Sequence, residues 1–193
     1  VEQSARSGAF DYPVWSQEVS CVRRLAALLL KAGEDEIAFV RSTSHGLSLV
    51  AEGLSWMQGD NILVYEREFP SNLFPWMHLI RKGVETRIVR ASSRRIDIED
   101  IASKIDGRTR LVSISSVQFT NGFRVDLERL GRLCRERDIL FCVDAIQSLG
   151  VLDTDVRRSH IDFLAADAHK WLMGPEGIGI LFCRRKLAST LEP

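Results

Sequence analysis

The chain has 193 residues, 45% of them hydrophobic and 27% charged, the profile of a soluble globular domain with enough length for a sizeable core. Lysine plus arginine and aspartate plus glutamate each total 26, so the formal net charge is zero. That balance predicts no nucleic-acid footprint and no polybasic membrane patch, and no apolar run approaches the ~20 residues that span a bilayer.

The opening segment, to about Pro13, is polar and weakly patterned. From Ser16 a helical pattern runs through VSCVRRLAALLLKAG, with Gly33 expected as its C-cap. After it the chain alternates. IAFVR (37–41) is predicted as a buried strand, and HGLSLVAEGLSW (45–56) as a helix capped by Thr43 or Ser44. NILVYE (61–66) is a strand, SNLFPWMHLIRK (71–82) a helix disturbed by Pro75, TRIVR (86–90) a strand and DIEDIASKI (97–105) a helix. RLVSIS (110–115) is a strand, DLERLGRLCRERD (126–138) a helix with apolar residues at three- and four-residue steps, and ILFCVD (139–144) a strand. DFLAAD (162–167) and GIGILFCRR (177–185) close the pattern as two strands. Strands separated by helices predict parallel βαβ units and a sheet covered on both faces. The last two strands lie too close for a helical crossover, so an antiparallel return is expected there. Ligands of such sheets bind at the carboxyl ends of the strands, which gathers Asp144, Asp167 and the loop after Arg41.

Cys21, Cys134, Cys142 and Cys183 form no CxxC pair and have no partner at metal-ligand spacing, which predicts reduced thiols in a cytoplasmic protein and no metal. The GPEGIG run at 174–179 has its glycines in the wrong order for a dinucleotide loop and precedes a strand, so it is expected to be the turn of the antiparallel return.

The informative stretch is 142–180. Asp144 ends one apolar strand and Asp167 another, and His169-Lys170 follow at once. A lysine at the mouth of an apolar sheet is partly desolvated, which favours the neutral, nucleophilic amine and suits a Schiff base with an aldehyde cofactor. Pyridoxal phosphate (PLP) also needs an acid opposite its pyridine nitrogen, and Asp144 meets that need.

The pattern D-x-x-Q, then D-F, then H-K-x-x-x-G-P-x-G-x-G resembles the signature of class V aminotransferases, a group that includes cysteine desulfurases, isopenicillin N epimerase and kynureninase. RSTSHGLSLVAEGL (41–54) resembles the family's phosphate-binding turn and helix. EREFPSNLFPW (66–76) resembles the segment that covers the cofactor ring, and SISSVQFTNGFRVDL (113–127) the segment facing ring and substrate. Four segments in the family's order cover most of the chain from about residue 35.

The resemblance implies a three-layer α/β/α domain with a mostly parallel seven-stranded sheet, one strand antiparallel. It implies Lys170 as the Schiff-base lysine and proton shuttle, Asp144 on the pyridine N–H, and Gln147 donating toward the ring hydroxyl oxygen. Thr43, Ser44 and His169 are implied at the phosphate, Phe69 stacked on the ring with Asn72 nearby, and Gln118 and Phe119 bordering the substrate. The expected activity is PLP chemistry on an amino acid, by transamination, epimerisation or C–S or C–C lysis, in a homodimer.

The sequence departs from the desulfurase pattern at three places. Phe69 stands where desulfurases carry a histidine, as in kynureninase and epimerase-like members. Asp167 replaces a frequent serine, and its charge argues against a phosphate ligand there. Phe119 replaces an asparagine. These differences lean away from a desulfurase. The chain begins at Val1 and stops soon after a strong strand, which predicts a fragment: residues 1–35 as a polar segment and packing helix, and 36–193 as the PLP-binding large domain without its C-terminal small domain. A truncated, non-catalytic binding module is the rival reading. A nucleotide loop at 41–48 is disfavoured by its single glycine and lack of GK[ST].

Overall fold

The computed structural model describes residues 6–91 and 95–192, so the first five residues of the opening segment lie outside the described ones. Pro13 sits in the first turn of α1 (Tyr12–Leu30), where its missing N–H costs nothing, and this starts the helix ahead of the expected Ser16. The helix ends at Lys31, which takes the left-handed conformation (φ 56°) expected of Gly33. The chain then alternates through β1 (Ile37–Val40), α2 (Thr43–Gly53), β2 (Asn61–Tyr65), α3 (Phe74–Met77), β3 (Glu85–Val89), α4 (Ile98–Ala102), β4 (Thr109–Ser115), α5 (Leu127–Glu136), β5 (Leu140–Asp144), β6 (Phe163–Asp167), β7 (Gly179–Cys183) and α6 (Arg185–Ala188). The predicted helix over 71–82 is a broken one. Pro75 has no N–H to give the Ser71 carbonyl, and 3-10 turns at Pro70–Asn72 and His78–Lys82 flank a single α-turn.

The strands form one seven-stranded sheet in the order β1-β7-β6-β5-β4-β2-β3. β3, β2, β4, β5 and β6 run parallel, and β7 is antiparallel to both of its neighbours, β6 and β1. The expected antiparallel return is thus in place. Because β1 and β6 both oppose β7, they point the same way as β4 and β5, and the carboxyl ends of all four lie along one edge.

Alternate residues of each strand feed opposite faces. Phe141 and Val143 of β5 join a core with Ala26, Leu30, Leu130, Ile114 and Leu164, under α1 and α5. Cys142 joins Leu47, Val50, Trp76, Leu79 and Phe163 under α2 and α3. Three layers follow, as the burial of both strand faces requires. On α2, Gly46 permits close approach: a Cβ there would lie 3.0 Å from the Ala165 Cβ. That contact brings the N-terminus of α2 against the end of β6. Among the described residues, no helix is long and apolar enough to cross a membrane, and no group of three or more His, Cys, Asp or Glu could hold a metal ion.

Candidate active site

Asp144 is the last residue of β5, in register with Ser115 of β4 and Ala165 of β6. Central strands on both sides leave it 1% exposed. Its Oδ1 accepts the Ile146 N–H at 3.0 Å, while its Oδ2 is buried without a partner among the described residues. Burial pushes its pKa up to about 7. The Ile146 N–H opposes that rise, the negative charge of Glu68 adds to it, and the positive charge of Lys170 opposes it. A buried carboxyl with one free oxygen lacks a hydrogen-bond donor, preferably a cationic one. The protonated nitrogen of a pyridine ring is a donor of that kind, so this end of the site fits PLP.

Lys170 lies in the turn between β6 and β7. Its carbonyl accepts the Met173 N–H at 3.0 Å, Gly174 N–H reaches the Ala168 carbonyl at 2.9 Å, and Ala168 N–H reaches the Ile178 carbonyl at 3.0 Å. The side chain is half-buried and makes no hydrogen bond or ion pair with the described residues. The dry pocket expected around this amine is therefore not supplied by these residues alone. Gln147, three residues past Asp144, is also half-buried, and its amide makes no hydrogen bond with the described residues. Gly150 locks the two segments together: at φ +103° a Cβ there would meet the Trp171 carbonyl oxygen at 2.5 Å. Gly150→Ala should push the 170–172 backbone out of place and lower stability by about 2–4 kcal/mol, read from the denaturant midpoint. A midpoint equal to wild type would show that the two segments yield easily.

The N-terminus of α2 differs from expectation. Its cap is Ser42, whose hydroxyl accepts the His45 N–H at 3.1 Å, not Thr43 or Ser44. Thr43 is 1% exposed and faces β6: its N–H donates to Asp167 Oδ1 at 3.1 Å, and its hydroxyl oxygen accepts the Asp167 N–H at 2.9 Å. Asp167 thus takes one amide of the helix terminus for itself. Ser44 is exposed, with its hydroxyl on Ser71 at 2.8 Å, and His169 is exposed, with Nδ1 3.8 Å from Asp167 Oδ2. His169 keeps a ring nitrogen free for an anion beside the helix dipole, the Ser44 hydroxyl gives its proton to Ser71, and Thr43 holds α2 to β6 while its hydroxyl, an acceptor in that clasp, keeps its own proton to donate.

Phe69 and Phe119 are each 46% exposed and meet edge to face, with ring centroids 5.2 Å apart. Beneath them lies a buried polar network. Glu68 accepts from Ser115 N–H (2.9 Å), the Ser115 hydroxyl, Gln118 Nε2 (2.8 Å) and Asn72 Nδ2 (2.8 Å). Asn72, expected beside the ring, is fully buried, and both ends of its amide are engaged by Glu68, Ser113 and Trp76. It supports the site from below and does not line it.

The family description Aminotransferase class-V matches residues 14–193. The chain belongs to the aminotransferase class-V family. It is 36% identical over its whole length to a protein named a probable cysteine desulfurase from Methanothermobacter thermautotrophicus, covering 49% of that protein. Against the apo cysteine desulfurase of Thermococcus onnurineus NA1 it aligns over 90% of its length and 44% of that chain, at 35% identity and a TM-score of 0.85. It aligns in full with 52% of a lysine-to-alanine C-DES mutant that carries glycine covalently linked to its PLP cofactor, at 25% identity and a TM-score of 0.90. The chain spans about half the length of the curated relatives it matches. Desulfurases are thus among its similar proteins, although Phe69, Asp167 and Phe119 lean away from their pattern.

Within this family site, two residues carry more than the sequence assigned to them. Glu68 stands in the ring-covering segment as one acid among two, and only the fold shows it to be the hub of the buried network. Asp167 was set aside as a phosphate ligand; its clasp to Thr43 required the register of β6 against α2. For Asp167 the sequence signal is an acid directly at the end of an apolar run; Glu68, two charged residues past such a run, carries no local signal of its own.

Proposed function

We propose that residues 36–193 are the PLP-binding large domain of a class V enzyme that acts on cysteine or a close relative by C–S lysis. The observation that carries this is the free, buried oxygen of Asp144 at the strand end, within electrostatic reach of Lys170. The C–S choice is supported by relatives named as cysteine desulfurases.

When bound, the cofactor supplies an electron sink for the pair left on the amino acid Cα as a bond to that carbon breaks. Asp144 keeps the ring nitrogen protonated by holding a negative charge against it in a dry strand end. Lys170 would hold the cofactor through its aldehyde carbon, and its Nζ, when free, would take up or return the Cα proton. Ser44 and His169 meet the phosphate beside the N-terminus of α2. Phe69 would cover the ring face, and Gln147 would donate to the ring hydroxyl oxygen. Cys134 and Cys183 are poor nucleophiles here, because burial raises their thiol pKa values to about 12 and about 11, and burial raises that of Cys142 as well. A second copy of the full-length protein is proposed to complete the site as a homodimer.

The test is reconstitution. The full-length protein mixed with PLP should show a visible imine band that borohydride bleaches, and it should release sulfur from cysteine. A protein that stays colourless at millimolar PLP would end this reading.

A further inference from the structure

The network beneath Phe69 and Phe119 has a direction, and one end sets it. The Trp76 indole N–H can only donate, and it donates to Asn72 Oδ1 at 3.1 Å. The Asn72 amide is thereby fixed, and its Nδ2 must face Glu68, 2.8 Å away. Glu68 Oε2 takes that bond and one from the Ser115 hydroxyl; Oε1 takes the Ser115 N–H and Gln118 Nε2. Four donors fill the acceptor capacity of an ionised carboxylate, which has no proton to offer in return. Gln118 therefore commits its NH2 to Glu68. Its other end, Oε1, is buried with no partner, although Gln118 is 1% exposed and adjoins Phe119 at the site. A bare buried acceptor is costly unless something arrives to use it.

We infer that Glu68 is a positioning residue that fixes the Gln118 amide, so that the Gln118 carbonyl oxygen accepts a hydrogen bond from an N–H or O–H of the bound ligand. This rests on the PLP reading above, which offers two such donors: the ring hydroxyl of the cofactor and the amine of the amino acid. Burial raises the Glu68 pKa, and each of the four donors opposes that rise.

The direction of the network gives a test that simple packing does not mimic. In Glu68→Gln one carboxylate oxygen becomes an NH2. Turned one way it meets the Ser115 backbone N–H; turned the other way it meets Asn72 Nδ2, which Trp76 holds in place. A donor faces a donor in both cases. Trp76→Phe removes the indole N–H, so Asn72 can rotate, offer its Oδ1 to the new amide and give its Nδ2 to the Ser113 hydroxyl. Every group is then paired again, and Gln118 keeps its native orientation.

The experiment uses the full-length protein and two titrations followed by absorbance: PLP into the cofactor-free protein, and L-cysteine or L-alanine into the PLP-loaded protein. Glu68→Gln should weaken one of the two by roughly tenfold, and Trp76→Phe added to it should recover most of that loss. Gln118→Met, which leaves the rest of the network folded, should weaken the same titration by a similar factor with little change in Tm. A loss in the PLP arm assigns the donor to the cofactor, and a loss confined to the amino-acid arm assigns it to the substrate. Additive penalties in the double variant, or Gln118→Met binding both ligands as tightly as wild type, would overturn the inference while leaving the PLP reading standing. A wild-type protein that takes up no PLP would end that reading and the inference with it.

Discussion

A Lys170→Ala version of the full-length protein, mixed with PLP, should lack the imine band, and borohydride should leave no pyridoxyl group on the chain. Wild type treated the same way should carry the adduct at residue 170. The effect is expected to be large because the variant loses two roles at once. It has no amine to condense with the aldehyde, and no Nζ to carry the Cα proton. Turnover should fall by more than about a thousandfold, as it does when a residue serving both as covalent anchor and as acid-base group is removed. The turn itself should survive: its hydrogen bonds run between backbone atoms of Ala168, Lys170, Met173, Gly174 and Ile178, none of which needs the lysine side chain. Affinity for PLP should drop less than turnover, since Asp144 and the α2 terminus remain. A variant that keeps the same adduct would move the Schiff base to another lysine and sink the assignment.

The architecture was legible because the sequence carried both of its signals. Apolar runs at β2, β4, β5 and β6 bury both faces of their strands and cannot be surface strands. The short interval before β7 excluded a crossover helix. Prolines set what was harder to read. Pro13 started α1 early because its fixed φ suits a first turn, and Pro75 broke the predicted 71–82 helix because it removes an amide from the ladder. At the site, Asp144 was legible from its place at a strand end, and the structure adds what no spacing contains: that one of its oxygens is left without a donor. Thr43 shows the reverse. A threonine at a helix start can serve a phosphate, a neighbouring strand or both, and only the fold shows the pairing with Asp167, 124 residues away. Asn72 was placed beside the ring by analogy, but its direction is set by Trp76 one helical turn on, and this points it into the core. Long-range pairing of this kind has no local signal in a single sequence.

Asp144→Asn should change two properties with a common cause, and the first needs no substrate. In the cofactor-free protein, burial raises the Asp144 pKa from its ordinary 3.8 to about 7. Between those values the folded protein keeps a proton that the unfolded chain has already released. Stability from this group is therefore complete below pH ~4 and drains away as pH rises through ~7, by about 4 kcal/mol in all. Asparagine does not titrate, so the variant should lose that slope and unfold at higher denaturant than wild type at pH 8. Glu68, whose pKa is also raised, contributes a slope of the same sign in both proteins. PLP should act oppositely on wild type. A protonated ring nitrogen placed against Oδ2 favours the charged carboxylate, so cofactor should stabilise wild type most at the alkaline end. The asparagine protein should gain much less, because its neutral amide gives the ring proton no charge to rest against. Turnover should then fall by more than about a hundredfold while some PLP stays bound through Lys170. Parallel pH–stability curves for the two cofactor-free proteins would show that Asp144 does not hold its proton in the fold, and turnover that survives the substitution would remove it from the ring nitrogen.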